Sequence, residues 1–465
     1  MKITKLLVAN RGEIAIRVLR AATEMAIPTV AVYTYEDRYS LHRYKADEAY
    51  QIGRDDEPLK PYLDIEGLLR IAKENGANAI HPGYGFLSEN ARLAQRCREE
   101  GIIFVGPRPE VMEALGDKVR AKQVAREQQV PQIESSEADL VDFETAKVEA
   151  NRIGYPVMLK ATAGGGGRGM RVIRDDEQLE KGFFEARNEA LNAFGDDTVF
   201  LEKYVERPKH IEVQLVGDQH GNLTHLYERD CSVQRRFQKV VEVAPSVGLT
   251  EEVRQQLYDY ALRIGRAVGY DNVGTVEFLV KPEQHEVYFI EVNPRIQVEH
   301  TVTEMITGID LIKTQLYIAA GYKLSDAEIG LGPDVTPLKV GFAMQCRITT
   351  EDPANDFKPD YGTVVAYRSA GGFGIRLDQG SVYQGAVVSP FFDSLLVKVS
   401  AHAPTLTGAA QKMRRALAEF RIRGVKTNIP FLDNIVANPE FRAGLATVDF
   451  IKERSELFRF KLRQD

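Results

Sequence analysis

The sequence predicts an α/β protein that passes into α+β structure along the chain, on three observations. Residues 1–115 alternate short apolar runs with helical segments, the pattern of a parallel sheet covered by helices on both faces. Beyond residue 116 the apolar runs lengthen into two-residue alternations, HIEVQLVGD, LTHLYERDCSV and the pair GTVEFLV and VYFIEVN, which is the pattern of antiparallel strands. Between them, YPVMLKATAGGGGRGMRVI reads as strand, glycine loop, strand, the makings of a hinged lid.

In the first unit KLLVAN is the first strand and EIAIRVLRAATEM the first helix, with Ile14, Ile16, Val18, Leu19 and Ala22 on its buried face. TVAVYTY, AIHPG and IIFVGP supply further strands; DIEGLLRIAKENG and ENARLAQRCREEG supply helices. Asn10-Arg11-Gly12-Glu13 and Gly83-Tyr84-Gly85 fall in loops at the carboxyl ends of strands, where parallel sheets bind ligands, although tight turns alone would also call for these glycines. The second unit, 116–330, opens with the helix GDKVRAKQVAREQ and carries the lid at about 136–204, with a further helix in KGFFEARNEALNAFG. The third, 331–452, has strands in GFAMQCRI, GTVVAYRS and LLVKVSAHA, the helix TGAAQKMRRALAEF and the loop RIRGVKTN, a mixed α+β unit. A charged segment, 453–465, follows, and is expected to be a tail toward downstream domains.

Composition narrows the function classes. Of 465 residues 44% are hydrophobic and 27% charged, an ordinary soluble globular balance. The net charge of −7 argues against general nucleic-acid binding, while leaving room for a local basic pocket for a small anion. Cys97, Cys231 and Cys346 are far apart and form no C-x-x-C, which points away from a disulfide framework or structural zinc and toward a reducing compartment. No apolar stretch reaches the ~18 residues of a membrane helix, and MKITKLLVANRGE lacks the character of a targeting peptide. The expected location is cytoplasmic.

Two motifs carry chemistry. Gly164-Gly165-Gly166-Gly167-Arg168-Gly169 matches G-x-G-x-x-G by letter, but a strand follows it rather than a helix, and no G-K-[ST] closes it as in a Walker loop. Its backbone N–H groups can still cradle an anion, as against serving a flexible hairpin turn. Lys160 on the incoming strand and Lys118 offer cations for phosphate oxygens. In EVNPRIQVE, Glu291, Asn293, Arg295, Gln297 and Glu299 alternate with Val292, Pro294, Ile296 and Val298. A straight strand would separate Glu291 from Glu299 by about 26 Å, so the expectation is a bend at Pro294 that gathers these side chains. Glu277 lies on the preceding strand across the hairpin loop KPEQHE, so Glu277, Glu291 and Asn293 can converge as hard oxygen ligands for magnesium. His210, the basic group Gln234-Arg235-Arg236 with Lys239, and Arg347 within a half-buried strand are weaker candidates; Arg347 needs a partner such as Glu299 or an anionic substrate.

The strings VANRGEIAIRV, HPGYGFLSEN, KATAGGGGRGMRV, EKYVE, RDCSVQRR, IEVNPRIQVEH and TEMITGIDL, in this order over nearly the whole chain, resemble the biotin carboxylase branch of the ATP-grasp enzymes. HRYKADEAY, NPRIQVEHTVTE, QCRITTEDP and DYGTVVAYRSAGGFGIRLD set the resemblance in a narrower branch than the acetyl-CoA carboxylase subunit, where NTRIQVEHPVTE is typical. The resemblance implies an N-terminal Rossmann-like sheet, a central ATP-grasp unit with a glycine-rich lid and a C-terminal mixed, barrel-like domain. It implies that Lys118, Lys160, Glu202, Lys203, Val205, His210 and Gln234 bind ATP beneath the lid Gly164, Gly165, Gly166, Gly167 and Gly169. Glu277, Glu291 and Asn293 would hold Mg2+ (or Mn2+). Arg295, Gln297 and Val298 would grip bicarbonate, Glu299 would deprotonate it, Lys239 matches the family's catalytic lysine, and Arg347 would stabilise the enolate of biotin.

One departure stands out: Phe237 occupies a place where the family often has His. Arg421 and Arg423 lie where such enzymes contact their carrier hinge. The resemblance further implies a biotinylated carrier and a carboxyltransferase as partners, and a homodimer of this unit. The chain has no Met-Lys-Met to carry biotin, so the expectation is one half-reaction, carboxylation of biotin without onward transfer. The alternatives are the carboxylase subunit of acetyl-CoA carboxylase, another ATP-grasp ligase, or a nucleotide-binding module without catalysis.

Overall fold

The computed structural model describes residues 2–136, 140–161, 170–194, 197–332 and 337–460. The N-terminal part is a five-stranded sheet of β1 (Leu6–Val8), β2 (Thr29–Tyr33), β3 (Glu48–Gln51), β4 (Ala79–His81) and β5 (Ile103–Phe104). Every pair is parallel, in the order β3-β2-β1-β4-β5. Its helices are α1 (Gly12–Glu24), α2 (Ile65–Glu74), α3 (Ala91–Glu99) and α4 (Pro109–Gly116). Asp64 caps α2 by accepting from Gly67 N at 3.0 Å, and Asn90 caps α3 by accepting from Leu93 N at 3.1 Å, satisfying N–H groups a helix start leaves unpaired. The strand order reverses between β1 and β4, and that is where the two expected loops meet. Asn10 Nδ2 donates to the carbonyls of Pro82 (2.6 Å) and Tyr84 (2.8 Å). The strand β3 and the helix α4, which opens on Pro109, were not expected from the sequence.

Then come α5 (Lys118–Glu127), α6 (Phe143–Ile153), β6 (Val157–Ala161), β7 (Arg171–Ile173), α7 (Asp176–Phe194) and β8 (Val199–Lys203). The last three strands form a small sheet in the order β7-β6-β8, with α6 and α7 packed on it through Ala146, Ala150, Leu179 and Phe183. The glycine hexapeptide lies outside the described residues.

The central sheet is built from β9 (Lys209–Gly217), β10 (Leu223–Arg235), β11 (Gln238–Ala244), β12 (Asn272–Lys281) and β13 (Glu286–Asn293), with α8 (Glu251–Ala267), α9 (His300–Thr307) and α10 (Leu311–Ala319). The strands β14 (Phe342–Thr349), β19 (Ile375–Gln379) and β21 (Leu395–Ala403) continue this same sheet, in the order β13-β12-β9-β10-β11-β14-β21-β19. Short ladders flank it: β15 (Glu351–Asp352) with β16 (Lys358–Pro359), β17 (Gly362–Thr363) with β20 (Val387–Val388), and β18 (Ala366–Arg368) with β22 (Arg421–Arg423). The run GTVVAYRS therefore divides into two ladders. α11 (Leu406–Glu419) and α12 (Ile429–Ala437) cover the C-terminal strands. Leu457 in the closing segment is buried.

Alternation gives the central sheet two unlike faces. Ile211, Val213, Leu215, Val276, Phe278 and Val292 join an apolar core with α5 and α8. The opposite face is polar, buried at Glu212, Gln214 and Arg229 and partly open at His210 and Glu291, with α9 packed over β10, β11 and β14. Among the described residues no helix is long and apolar enough to cross a membrane.

Candidate active site

The sheet register assembles the site. Glu291, Glu277, Glu212 and Arg229 stand opposite one another on consecutive strands β13, β12, β9 and β10. Opposed residues share a face, so three carboxylates form a row that repels itself unless cations intervene. Arg229 closes one end: Nε donates to Glu212 Oε1 at 2.5 Å and Nη1 to Gln214 (2.7 Å) and to Thr303 of α9 (2.9 Å). Lys239 enters from β11. Its ammonium donates to Glu212 (2.7 Å), Glu277 (3.0 Å) and Glu299 (2.7 Å), which uses all three of its protons. Glu212, Cys231 and Glu299 also present ligand atoms within 4.8 Å of one another, but the ammonium already serves both carboxylates there.

Glu299 reaches this place because the chain turns. β13 stops at Asn293, before Pro294, which has no N–H to extend a ladder, and Glu299 becomes the N-cap residue of α9. The expected bend is thus present, and Glu277 and Glu299 hold one ammonium between them. Glu299 is 1% exposed. Its Oε2 accepts from Arg347 Nη2 at 3.0 Å. Burial pushes its carboxyl up, but Lys239, Arg347 and Arg229 outweigh burial and hold it far below the usual range. Arg347 is aimed by Glu242, which accepts from Nε at 2.6 Å and from Gln345 Nε2 at 2.9 Å.

The other residues of the EVNPRIQVE stretch line the same turn. Arg295 donates to Gln297 Oε1 (2.8 Å) and Asn293 Oδ1 (2.9 Å), and its Nε lies 3.1 Å from a carboxylate oxygen of Glu89. Gln297 Nε2 donates to Thr275 Oγ1 (2.9 Å) and Glu277 Oε1 (3.1 Å). The carbonyl of Val298 accepts from Lys398 Nζ at 2.9 Å. His210 Nε2 lies 2.5 Å from Glu277 Oε2, while Nδ1 accepts from Gln234 Nε2 at 2.5 Å. Glu277 is pushed up by burial and, more strongly, held down by Lys239 and His210. Burial and the facing Glu277 push Glu291 up; Lys118 opposes them from 3.9 Å, too far for a hydrogen bond. Asn293 Nδ2 donates to Glu277 Oε1 at 2.8 Å. Two facing carboxylates, one without a close cation, beside an amide oxygen fit a divalent cation of the magnesium type.

The lid side is a second cluster. Lys160 on β6 and Lys122 on α5 both pair with Glu202 on β8, and Lys122 lies one turn after Lys118 on the same helix. These lysines hold the Glu202 carboxyl below its ordinary value against burial. Lys203 turns its ammonium to the carbonyls of Gly154 (2.7 Å) and Tyr155 (3.1 Å); Val205 follows β8, half-buried. Gly164, Gly165, Gly166, Gly167 and Gly169 lie outside the described residues. Arg236 and Phe237 form the tip of the β10–β11 hairpin, tied by Arg235 and Arg236 to Asp356 at 2.7 and 2.9 Å. Arg421 and Arg423 sit on β22, paired with β18.

Sequence reasoning missed Glu212, Arg229, Glu242, Lys122 and Lys398. For Glu212 the signal was present, since HIEVQLVGD puts His210, Glu212 and Gln214 on one strand face. Lys398 carries no such signal, because its neighbours are apolar on both sides.

Three family models match the chain. Residues 2–112 match the family model of the biotin carboxylase N-terminal domain. Residues 117–327 match the ATP-binding domain of the carbamoyl-phosphate synthase L chain, and residues 345–453 the biotin carboxylase C-terminal domain. The biotin carboxylase domain of a 2-oxoglutarate carboxylase from Hydrogenobacter thermophilus, crystallised as a dimer with MgADP, ADP and bicarbonate, is 47% identical with a TM-score of 0.92. That match covers 99% of this chain and 100% of the other. The chain belongs to the biotin carboxylase family. Within that family it is 56% identical over 457 residues to pyruvate carboxylase of Staphylococcus aureus, covering 98% of this chain and 40% of that protein. The pyruvate carboxylase of Rhizobium etli, solved with acetyl coenzyme A, is 52% identical with a TM-score of 0.93, covering 100% of this chain and 41% of the other. This biotin carboxylase chain thus spans about 40% of the length of the pyruvate carboxylases it matches.

Proposed function

We propose that the chain carboxylates biotin with bicarbonate and ATP, by way of carboxyphosphate. The observation that carries this reading is Glu299, a buried carboxylate held between Lys239 and Arg347 and one residue beyond the Arg295–Gln297–Val298 turn. Lys118, Lys160, His210 and Gln234 hold ATP, with Glu202, Lys203 and Val205 at the adenine and the glycine loop Gly164–Gly169 over the phosphates. A magnesium or manganese ion held by Glu277, Glu291 and Asn293 would supply positive charge against the phosphate oxygens.

Arg295, Gln297 and the main chain of Val298 orient bicarbonate, and Glu299 removes its proton. A bicarbonate oxygen attacks the γ-phosphorus, the bond to ADP breaks, and carboxyphosphate forms. An anion attacking an anion needs cations on both reactants, which Arg295, Lys239 and the lysines provide. Carboxyphosphate separates into carbon dioxide and phosphate. The phosphate takes the N1 proton of biotin, Arg347 stabilises the enolate, and N1 attacks carbon dioxide. The same cations that hold Glu299 weakly basic at rest are the ones the reaction engages. As Lys239 turns to phosphate, Glu299 becomes a stronger base.

The functional units are residues 1–115, 116–330 and 331–452, acting as one site. Biotin arrives on a carrier domain, a carboxyltransferase domain uses the product, and two copies of the unit pair, as in the Hydrogenobacter domain dimer. Pyruvate is the proposed final acceptor, because the full-length relatives at 51–56% identity are pyruvate carboxylases. The cytoplasm is the proposed location.

The test is ATP hydrolysis with magnesium, with and without bicarbonate and free biotin. Hydrolysis should require bicarbonate and rise with biotin, and Glu299→Gln should lower it at least ~100-fold. Hydrolysis indifferent to bicarbonate, or unchanged in Glu299→Gln, overturns the reading.

A further inference from the structure

We propose that Glu13 and Lys398 are positioning residues that tether the bicarbonate turn, a role that rests on the function proposed above. Lys398 has no exposed surface and stands opposite Arg347 on the neighbouring strand. Its Nζ donates to the carbonyl of Val298 at 2.9 Å and lies 3.0 Å from Glu13 Oε1. Glu13, in the first turn of α1, also accepts from the hydroxyl of Tyr84, on the loop after β4. Three parts of the chain far apart in sequence therefore meet on one ammonium: the first helix of the parallel-sheet unit, strand β21 and the turn at 294–299.

This pair is a poor device for stability alone. Removing two charges from water costs several kcal/mol per ion, and well-packed apolar residues of similar volume usually serve as well or better. The pair is also incompletely satisfied: the second oxygen of Glu13 is buried with no hydrogen-bond partner among the described residues. What an ammonium supplies, and a methyl group cannot, is direction. It holds the Val298 carbonyl, which fixes the plane of the peptide leading into Glu299. The same peptide unit belongs to the turn that would orient bicarbonate, so the tether sets base and substrate together. A displacement of about 1 Å at such a point can cost ~100-fold in rate.

The experiment compares the wild-type chain with Lys398→Met and with the double variant Lys398→Met/Glu13→Leu, which removes both charges and so protects against simple misfolding. Melting temperature, hydrogen exchange of amides in residues 294–302 and bicarbonate-dependent ATP hydrolysis are measured on each. The double variant should melt within a few degrees of wild type. Its amides in 294–302 should exchange at least ~10-fold faster, and kcat should fall about 100-fold with KM for ATP within about 2-fold. Unchanged protection of 294–302 in the double variant overturns the tether, and so does faster exchange with unchanged kcat. If wild-type hydrolysis ignores bicarbonate, the proposed function falls, while the exchange result still decides whether the tether exists.

Discussion

Arg229 and Glu212 form an ion pair in which neither side chain keeps any exposed surface. The guanidinium also holds Gln214 and Thr303, so it joins two strands of the sheet to the helix that Glu299 caps. Removing one partner of such a pair leaves a buried charge without compensation. Arg229→Met should therefore cost about 3–5 kcal/mol, read from urea denaturation, and adding Glu212→Gln should restore part of it. A loss below about 1 kcal/mol would mean that Lys239 alone neutralises the row.

The carboxylate row gives a pH signature through Lys239. In the wild type Glu277 and Glu299 are held below their unfolded value of about 4.3, so the unfolded chain binds more protons in acid. Their contribution to stability is complete above that value and is lost as pH falls through their folded values. In Lys239→Met the largest lowering charge is gone, so burial and mutual repulsion raise these carboxyls against what Arg347, Arg229 and His210 still supply. The variant should therefore gain stability relative to the wild type as pH falls from 7.5 to 5.5. Melting temperatures at these two pH values decide it, and parallel behaviour of the two proteins would refute the row's dependence on Lys239.

Two histidines should sharpen acid unfolding. Burial pushes His81 and His225 each down to about 4. Between about 6.5 and 4 the unfolded chain takes up a proton at each and the folded chain does not, so stability is lost as pH falls through this window. From pH 7 to 5 this amounts to about 2 kcal/mol per histidine. His81→Gln, which can keep a hydrogen bond to Gln315, should reduce the measured loss by about that amount. An identical loss in the variant would contradict the neutral, buried state of His81.

The hairpin that carries Gln234 and Lys239 turns through two non-glycine residues in the left-handed region, Arg236 at φ 49° and Phe237 at φ 64°. Such tight turns favour glycine. Phe237 is 56% exposed, so its ring contributes little packing. Phe237→Gly should raise the unfolding free energy by about 0.5–1 kcal/mol. A decrease in the denaturation midpoint would show that the ring has a partner in the folded protein.

Legibility in the sequence followed the scale of each pattern. Local periodicity located α1, α2, α3 and the strands β9, β12 and β13, because the burial of one face is written in consecutive residues. The charged stretch from Glu291 to Glu299 was legible for the same reason, and Pro294 marked its turn. The partners that aim these groups were not. Glu212 and Arg229 act through strand register across the sheet, Glu242 acts through Arg347, and Lys398 meets Val298 across 100 residues of sequence. The helices α8, α9 and α10 were not legible because they lie among strands whose two-residue alternation masks a longer period.

The continuity of the central sheet has a consequence for how the chain can be divided. β11 and β14 pair edge to edge over Val241–Ala244 and Ala343–Cys346, with the junction between the second and third units running through that ladder. A fragment ending before residue 342 would bare a row of unpaired N–H and C=O groups along β11, beside Val241 and Val243, which are buried in the intact protein. Exposed strand edges of this kind recruit other chains. Dissection at that boundary should therefore yield material that self-associates, and the two halves would be better recovered by co-expression than apart.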